Sequence, residues 1–541
     1  MVCHRELPLT EEPVTSTLPP KRVQEAAVSV DSPPSAPSDR GGFFGQPRGL
    51  STLFFTEMWE RFSYYGLRPL LILYMSAALA DGGFGFQRLQ ASAIVGIYAG
   101  SVYLASLPGG WIADRLLGLR RAILTGAILI AFGHISIGTS AFLGGRVPFF
   151  VGLVLIVLGT GLLKPNISAI VGDLYPEGGA RRDAGFSIFY MGINSGAFLG
   201  QLVTGFLGEK FGWHWGFGAA GVGMLIGVAV FSTRASKTLG SIGLETTKHP
   251  DPVVQAKQTL RAKIAIAIGL GLLALVILLA ATGAITLDPQ AIGRKMTYVL
   301  VGVGVAYFGY IFAAGGLTGD ERKRIIVILV LFIFSAIFWS AFEQAPTSLN
   351  LFARDFTDRR VGEFEIPAIW FQSVNSLFII IFAPVFALIW SGLAKRGLDL
   401  SSPTKFSLGL LVTALAFLLM LIASNIVVAS GGTVKVSPWW LVGCYLLQTA
   451  GELSISPVGL SSMTKLSPRR YVGQMMGVWF LATSVGNLIA GLVGGNVNPE
   501  ELAQTPKLFT LTTASLVVSG VILALMIVPI RKMMARQTAS A

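Results

Sequence analysis

The sequence predicts an all-α polytopic membrane protein with fourteen transmembrane helices. Three observations carry this. Of 541 residues, 53% are hydrophobic and 13% charged, against about 25% charged in an average soluble domain. Apolar stretches of roughly 20 residues recur along almost the whole chain, each long enough to cross a hydrocarbon core of about 30 Å as a helix. The ten-residue alternation of a membrane barrel is missing.

In chain order, residues 1–48 are rich in Pro and Ser and lack an apolar run, so they read as a disordered tail. No cleavable signal peptide is visible, because the first apolar segment begins near residue 53 and is too long for an h-region. A first half, 49–234, holds spans at 53–80, 88–113, 122–143, 147–172, 184–207 and 213–233. A linker, 235–320, carries two extra spans at 264–287 and 296–318, neither with an ionisable residue. Such spans suit packing against lipid, since functional spans carry polar groups. A second half, 321–531, holds spans at 325–345, 366–393, 406–428, 438–463, 471–494 and 508–530, before a short tail at 532–541.

A weak internal repeat supports the two halves. "PNISAIVGDLYP" runs from Pro165 to Pro176 before Arg181-Arg182, and "PVGLSSMTKLSP" from Pro457 to Pro468 before Arg469-Arg470. "GGWIADRLLGLRR" after the second span has a fainter echo in "SGLAKRGLDL" after the tenth. Parallel repetition of two six-span halves is an architecture of secondary transporters, with the solute site near the midplane between the halves.

An even number of spans puts both termini on one side. If that side is the cytoplasm, its segments carry 28 Lys/Arg, the outer loops 10 and the spans 3, as the positive-inside rule requires. The outer loop "RDFTDRRVGEFE" departs from the trend, but its cations are interleaved with acids. The net charge of +13 is therefore topological. It is spread over every cytoplasmic loop, unlike the clustered face of a nucleic-acid binder. With Cys3 and Cys444 the only cysteines and four scattered histidines, neither a disulfide framework nor a metal site is expected.

The informative feature is charge inside the spans. "EMWERFSYYGLR", residues 57–68, lies within the first span. At 100° per residue Glu57, Glu60, Arg61, Tyr64, Tyr65 and Arg68 share an arc of about 140°, with the opposite side free for lipid or a neighbouring helix. Glu57 and Arg61 stand at i, i+4, where they can pair. Pro69 follows and invites a bend. Arg61 is shallow enough to snorkel, whereas Arg68 is not. Lys164 and Glu452 fall mid-span, and Glu343 falls near the outer end of its helix.

Each such residue costs about 2.5–3.5 kcal/mol facing lipid, so seven would cost about 20 kcal/mol. They are expected to face one another or water. Four carboxylates against three cations suit a cavity that ligates a zwitterion and carries a proton, because displacing a cation from a carboxylate raises its proton affinity. The alternative is an ion network that only locks helix packing.

These residues also carry a resemblance. E-x-x-E-R-F-x-Y-Y-G in the first span, "LLKPNIS", "FYMGINSGAF", "FWSAFEQ", "QSVNSLF", "GELSISPVGLS" and "GVWFLATSVGN" resemble the motifs of the prokaryotic proton-dependent oligopeptide transporters of the major facilitator superfamily. The likeness runs from about residue 50 to 530. It implies the major facilitator fold, two six-helix halves plus two inserted helices, in the cell inner membrane with both termini cytoplasmic. It implies a proton-coupled symporter importing di- and tripeptides by alternating access, as a monomer in the lipid bilayer. No cofactor, no nucleic acid and no enzymatic activity are implied, and the coupling ion is H+.

By the same resemblance Glu57, Glu60, Arg61 and Glu343 couple protons, and Arg68 and Lys164 meet the peptide carboxylate or pair with Glu343. Asn194, Asn375 and Glu452 lie near the peptide ammonium. Tyr64, Tyr65, Tyr103, Ser456 and Trp479 line the pocket, while Asp114 and Arg115 form a cytoplasmic gating loop. Animal members use a histidine in the second span; this sequence has none there, which leaves proton coupling to carboxylates. A nitrate or organic-anion carrier of the same fold, or a non-transporting nutrient receptor, are the other readings. Glu452 speaks against a pure anion, which needs no carboxylate partner.

Overall fold

A computed structural model describes residues 42–535 except 141, 143–144, 247–250 and 399. Most of the expected N-terminal tail and the last six residues lie outside this range. The helices are α1 (Arg48–Ser76), α2 (Arg88–Ile112), α3 (Leu119–Thr139), α4 (Arg146–Asp173), α5 (Gly179–Lys210), α6 (Trp213–Thr238), α7 (Pro252–Ala281) and α8 (Pro289–Ala314). They continue with α9 (Gly319–Phe342), α10 (Asn350–Phe356), α11 (Trp370–Lys395), α12 (Ser402–Ala429), α13 (Trp439–Leu466), α14 (Val472–Gly494) and α15 (Gln504–Ala535).

Twelve segments, with α9 and α10 forming one, are long and apolar enough to cross a membrane. Helices α1 and α13 are as long, at 29 and 28 residues, but Glu57, Glu60, Arg61 and Arg68 in one and Glu452 among polar neighbours in the other dilute their hydropathy. With them the chain has the fourteen expected spans.

Four boundaries differ from expectation in informative ways. Residues 42–47, within the expected tail, are folded onto α1: Phe43 pairs with Gln46 and packs on Phe54 at 5.2 Å between ring centres. Helix α7 starts at Pro252, so the first extra span has a basic foot with Lys257, Arg261 and Lys263. Its apolar stretch is unburied by protein, as a lipid-facing helix requires. Third, α9 ends at Phe342, just before Glu343, but the span does not end there. A wide turn at Ala345–Leu349 carries it into α10, giving a continuous 38-residue span, Gly319–Phe356. Glu343 therefore sits deep inside the span and not near its outer end. Fourth, the outer loop forms a two-stranded hairpin, β1 (Arg360–Val361) and β2 (Phe364–Glu365).

Helices α1 to α6 pack on one another, as do α9 and α11 to α15, and the halves meet where α2 packs on α14 and α5 on α11. The repeat is visible in these elements. Helices α4 and α13 both have 28 residues, with Pro165 and Pro457 in equivalent places. The fainter echo is exposed by backbone geometry: Gly118 of "LLGLRR" and Gly397 of "AKRGLDL" have φ of +77° and +73°, a region open to glycine at little steric cost.

On the face away from the two termini the halves are closed. A methyl group on Gly96 would stand 2.7 Å from the Cα of Gly491, so α2 and α14 touch through backbone. Ser484 Oγ donates to the Gly100 carbonyl at 2.9 Å, and Trp370 Nε1 to the Leu202 carbonyl at 2.9 Å. Glu209, at the end of α5, accepts from the backbone N–H of Ala368 and Ile369 at 3.0 and 3.1 Å and pairs with Arg359 at 3.3 Å. Arg88 pairs with Asp355 at 2.5 Å. Arg359 also meets Glu365 at 2.8 Å. Two of the cations that broke the charge trend in this loop, Arg354 and Arg359, are thus paired with acids. On the termini face, Arg181–Ala184 of α5 are exposed, and buried residues of α11 end at Ile379.

Candidate functional site

Helix α1 is buried on all sides: Glu57, Glu60, Arg61 and Arg68, but also Phe62 and Leu67, are at most 7% exposed. Of the two expectations for its opposite side, lipid or a neighbouring helix, the second holds: that side packs on α5 and α6, helped by Gly196 and Gly200, where a methyl would strike the Met58 and Phe62 carbonyls. Arg61 does not snorkel. Its Nε is 3.1 Å from Glu57 and is also ion-paired with Glu60, and its guanidinium lies 5.1 Å from the Tyr64 ring centre. One buried cation thus serves two carboxylates. One Glu57 oxygen has no hydrogen-bond partner in the structure.

Two turns on, Arg68 crosses to the second half and pairs with Glu343 through Nη2. The same nitrogen donates to Asn487 Oδ1 of α14 at 3.1 Å. Asn350 of α10 donates to the carbonyl of Pro69 at 2.9 Å. The residue that follows Arg68 is thereby tied to the second half as well.

Lys164 of α4 makes no ion pair among the described residues. Its Nζ lies 4.0 Å from the centre of the Tyr103 ring of α2, a cation–π contact. It is within electrostatic reach of Glu57, Glu60 and Glu343. The resemblance offered Lys164 two places; the structure gives the pairing with Glu343 to Arg68.

In the second half, Asn375 of α11 donates to Thr449 Oγ1 at 2.9 Å and to Glu452 Oε2 at 3.4 Å. Across from them on α5, Asn194 donates to the Tyr190 carbonyl of its own helix at 3.0 Å, and Tyr190 feels the charge of Glu452. Ser456 is half-buried with an unpartnered hydroxyl. Trp479 is buried, edge-on to Phe406 at 6.4 Å, in the space left by Gly459. Tyr64 stacks on Tyr98 at 6.1 Å and meets Tyr65 edge-on at 5.1 Å.

Asp114 and Arg115 do not join this cluster. They sit in a wide turn, Ala113–Leu117, at the termini end of α2, where Arg115 bonds Gln258 of the inserted α7. Sequence reasoning missed Tyr98, Tyr190, Thr449, Asn350 and Asn487. Asn487 closes a quoted motif, but only the fold brings it to Arg68.

A buried, nearly neutral cluster between two helical halves, closed at one face, defines a secondary transporter of the major facilitator type. The chain belongs to the POT family, whose model matches residues 120–508. It is 50% identical over 496 residues to the peptide transporter YePEPT of Yersinia enterocolitica, covering 91% of this chain and 96% of that one. It is 37% identical over 499 residues to the di-/tripeptide transporter of Lactococcus lactis subsp. cremoris, covering 91% and 97%. A crystal structure of a peptide transporter POT in complex with sulfate superposes with a TM-score of 0.83 at 41% identity, covering 91% of this chain and 96% of that chain.

Proposed function

We propose that this protein imports di- and tripeptides in symport with protons by alternating access, in the cell inner membrane with both termini in the cytoplasm. The observation that carries the reading is the division of charge: the cation Lys164, held by no carboxylate, projects from the first half, and Glu452 with Asn375 from the second. Every short peptide shares one ammonium and one carboxylate on a short backbone, while side chains vary. Two fixed charges with tyrosine and tryptophan walls between them suit that common element. The relatives named as peptide transporters support the same reading.

In this scheme Lys164 takes the peptide carboxylate and Glu452 the ammonium. Arg68–Glu343 joins the halves, and a proton on Glu343 removes the ionic part of that tie. Glu57 and Glu60 share Arg61, so neutralising one leaves the cation paired with the other, and a proton moves without exposing a bare charge. The coupling ion is H+, and no cofactor takes part. One chain encloses the whole cluster, so a monomer suffices. One proton falling through 100 mV supplies about 2.3 kcal/mol, enough for roughly fifty-fold accumulation of a neutral peptide.

The test is uptake of a labelled dipeptide by purified protein in liposomes with an imposed proton gradient. Accumulation of intact peptide, abolished by a protonophore, is the expected result. Binding without uptake would make the protein a receptor, and uptake of nitrate or organic anions in preference to dipeptide would make it an anion carrier.

A further inference from the structure

We propose that Asn487 is a positioning residue for Arg68: a neutral acceptor that holds the guanidinium on the α9–α14 side of the site while Glu343 carries a proton. The consequence for transport rests on the function proposed above; the geometry does not.

Arg68 Nη2 has two acceptors, the Glu343 carboxylate and Asn487 Oδ1 at 3.1 Å. One can be protonated and the other cannot. The orientation of the Asn487 amide is determined, because its Nδ2 donates to the Thr483 carbonyl at 2.9 Å; a donor there leaves Oδ1 for Arg68. Asn487 is 1% exposed, and its backbone is pinned from both sides. A methyl on Gly96 of α2 would meet the Asn487 carbonyl at 2.8 Å, and one on Gly486 would meet Trp339 Cβ of α9 at 2.4 Å. The amide is a fixed point against which Arg68 rests.

The other groups around this contact come from every neighbouring element. Helix α1 offers Tyr64, whose ring centre is 5.8 Å from the guanidinium, and beyond it Glu60 and Arg61. Helix α2 offers Tyr98 and Tyr103. Lys164 of α4 and Glu452 of α13 are within electrostatic reach of Glu343. Of these only Glu343 forms an ion pair with Arg68. When it is protonated, the attraction between two opposite charges is lost and Arg68 faces neutral acceptors only. Asn487 then supplies the remaining bond, weak enough to let the halves part and sufficient to bring Arg68 back to one place.

An aspartate has the shape of asparagine, so Asn487→Asp adds a charge beside Arg68 while also losing the bond to the Thr483 carbonyl. It would keep Arg68 in an ion pair when Glu343 is protonated. In liposome uptake against pH, we expect its maximal rate near neutrality to fall about ten-fold, equivalent to roughly 1.4 kcal/mol on the barrier. KM should stay within about two-fold and the pH profile should move toward acid, where both carboxylates are neutral. A role in packing alone, including the bond to Thr483, predicts a lower rate with an unshifted pH profile for Asn487→Asp; that result would overturn the proposal. Uptake by the wild type, measured alongside, judges the transport reading separately. Should wild type move no peptide, or the aspartate variant not fold, thermal melting of purified Asn487→Leu decides. It should lower Tm by about 2 °C in the Arg68 protein and by less than half as much in Arg68→Met. Equal losses in the two backgrounds would mean that Asn487 does not act on Arg68.

Discussion

Lys164 rests on the ring of Tyr103, 4.0 Å from its centre, and no carboxylate among the described residues lies within ion-pair distance of it. A half-buried ammonium that meets a π face and, among the described residues, no carboxylate is poised for an anion. Lys164→Gln should weaken dipeptide binding by about ten- to hundred-fold, the value of one charge-assisted bond of about 1.5–3 kcal/mol. A dipeptide amidated at its C-terminus, which has no carboxylate to lose, should bind poorly to wild type and change little in the variant. Competition assays with both ligands check this. Unchanged affinity for the free dipeptide would remove Lys164 from the site.

Glu57 and Glu60 share the single cation of Arg61. Glu60→Gln leaves Arg61 paired with Glu57, so the fold should survive while the site loses one proton carrier. Gradient-driven uptake should fall by roughly ten-fold or more, the upper part of the range for a lost proton-transfer group being larger still, while exchange of internal for external peptide continues. Both are read in the same liposomes. Uptake that persists under a pH gradient would assign the coupling proton to another carboxylate.

Much of this site was legible in the sequence because a membrane taxes charge so heavily: Glu57, Glu60, Arg61, Arg68, Lys164 and Glu452 stand out against any apolar background. The fourteen spans were legible for the same reason. What was hidden depends on tertiary geometry. The turn at Ala345–Leu349 carries the span past Glu343 into α10, and hydropathy does not distinguish a span that ends from one that bends and continues. Asn487 carries no charge, so its contact with Arg68, 419 positions away, leaves no local signal. The turn at Ala113–Leu117 likewise looks like plain helix and loop until Gly118 is seen at positive φ.

Closure of the far face depends on Glu209, which binds Arg359 and two backbone N–H groups at the start of α11. Glu209→Ala should loosen it, since removing an acceptor of several buried donors costs about 1–3 kcal/mol. In a background with Cys3 and Cys444 replaced, a cysteine at Leu349, fully buried in this structure, should react with an impermeant maleimide about five- to hundred-fold faster when Glu209 is lost. An unchanged labelling rate would show that the glutamate only caps the helix.

Glu452 is, beside Glu343, the second acidic group that the second half brings toward the site, and among the described residues it has one hydrogen-bond donor, Asn375 Nδ2 at 3.4 Å, which is shared with Thr449 at 2.9 Å. The donor lies closer to the threonine than to the carboxylate. Glu452 thus retains acceptor capacity for an ammonium, and Asn375 steers it without neutralising it. Aligning Pro457 with Pro165 sets Glu452 opposite Thr160, about one helical turn from the level of Lys164, so the halves offer opposite charges to the midplane. Glu452→Gln should weaken dipeptide binding by about ten- to hundred-fold. An N-acetylated dipeptide, with no ammonium, should bind wild type poorly and change little in the variant. The experiment is a double cycle of competition assays, two proteins against two ligands. Equal losses for free and acetylated peptide would mean that Glu452 supports the packing of α13 against α11, and the ammonium would then need another partner.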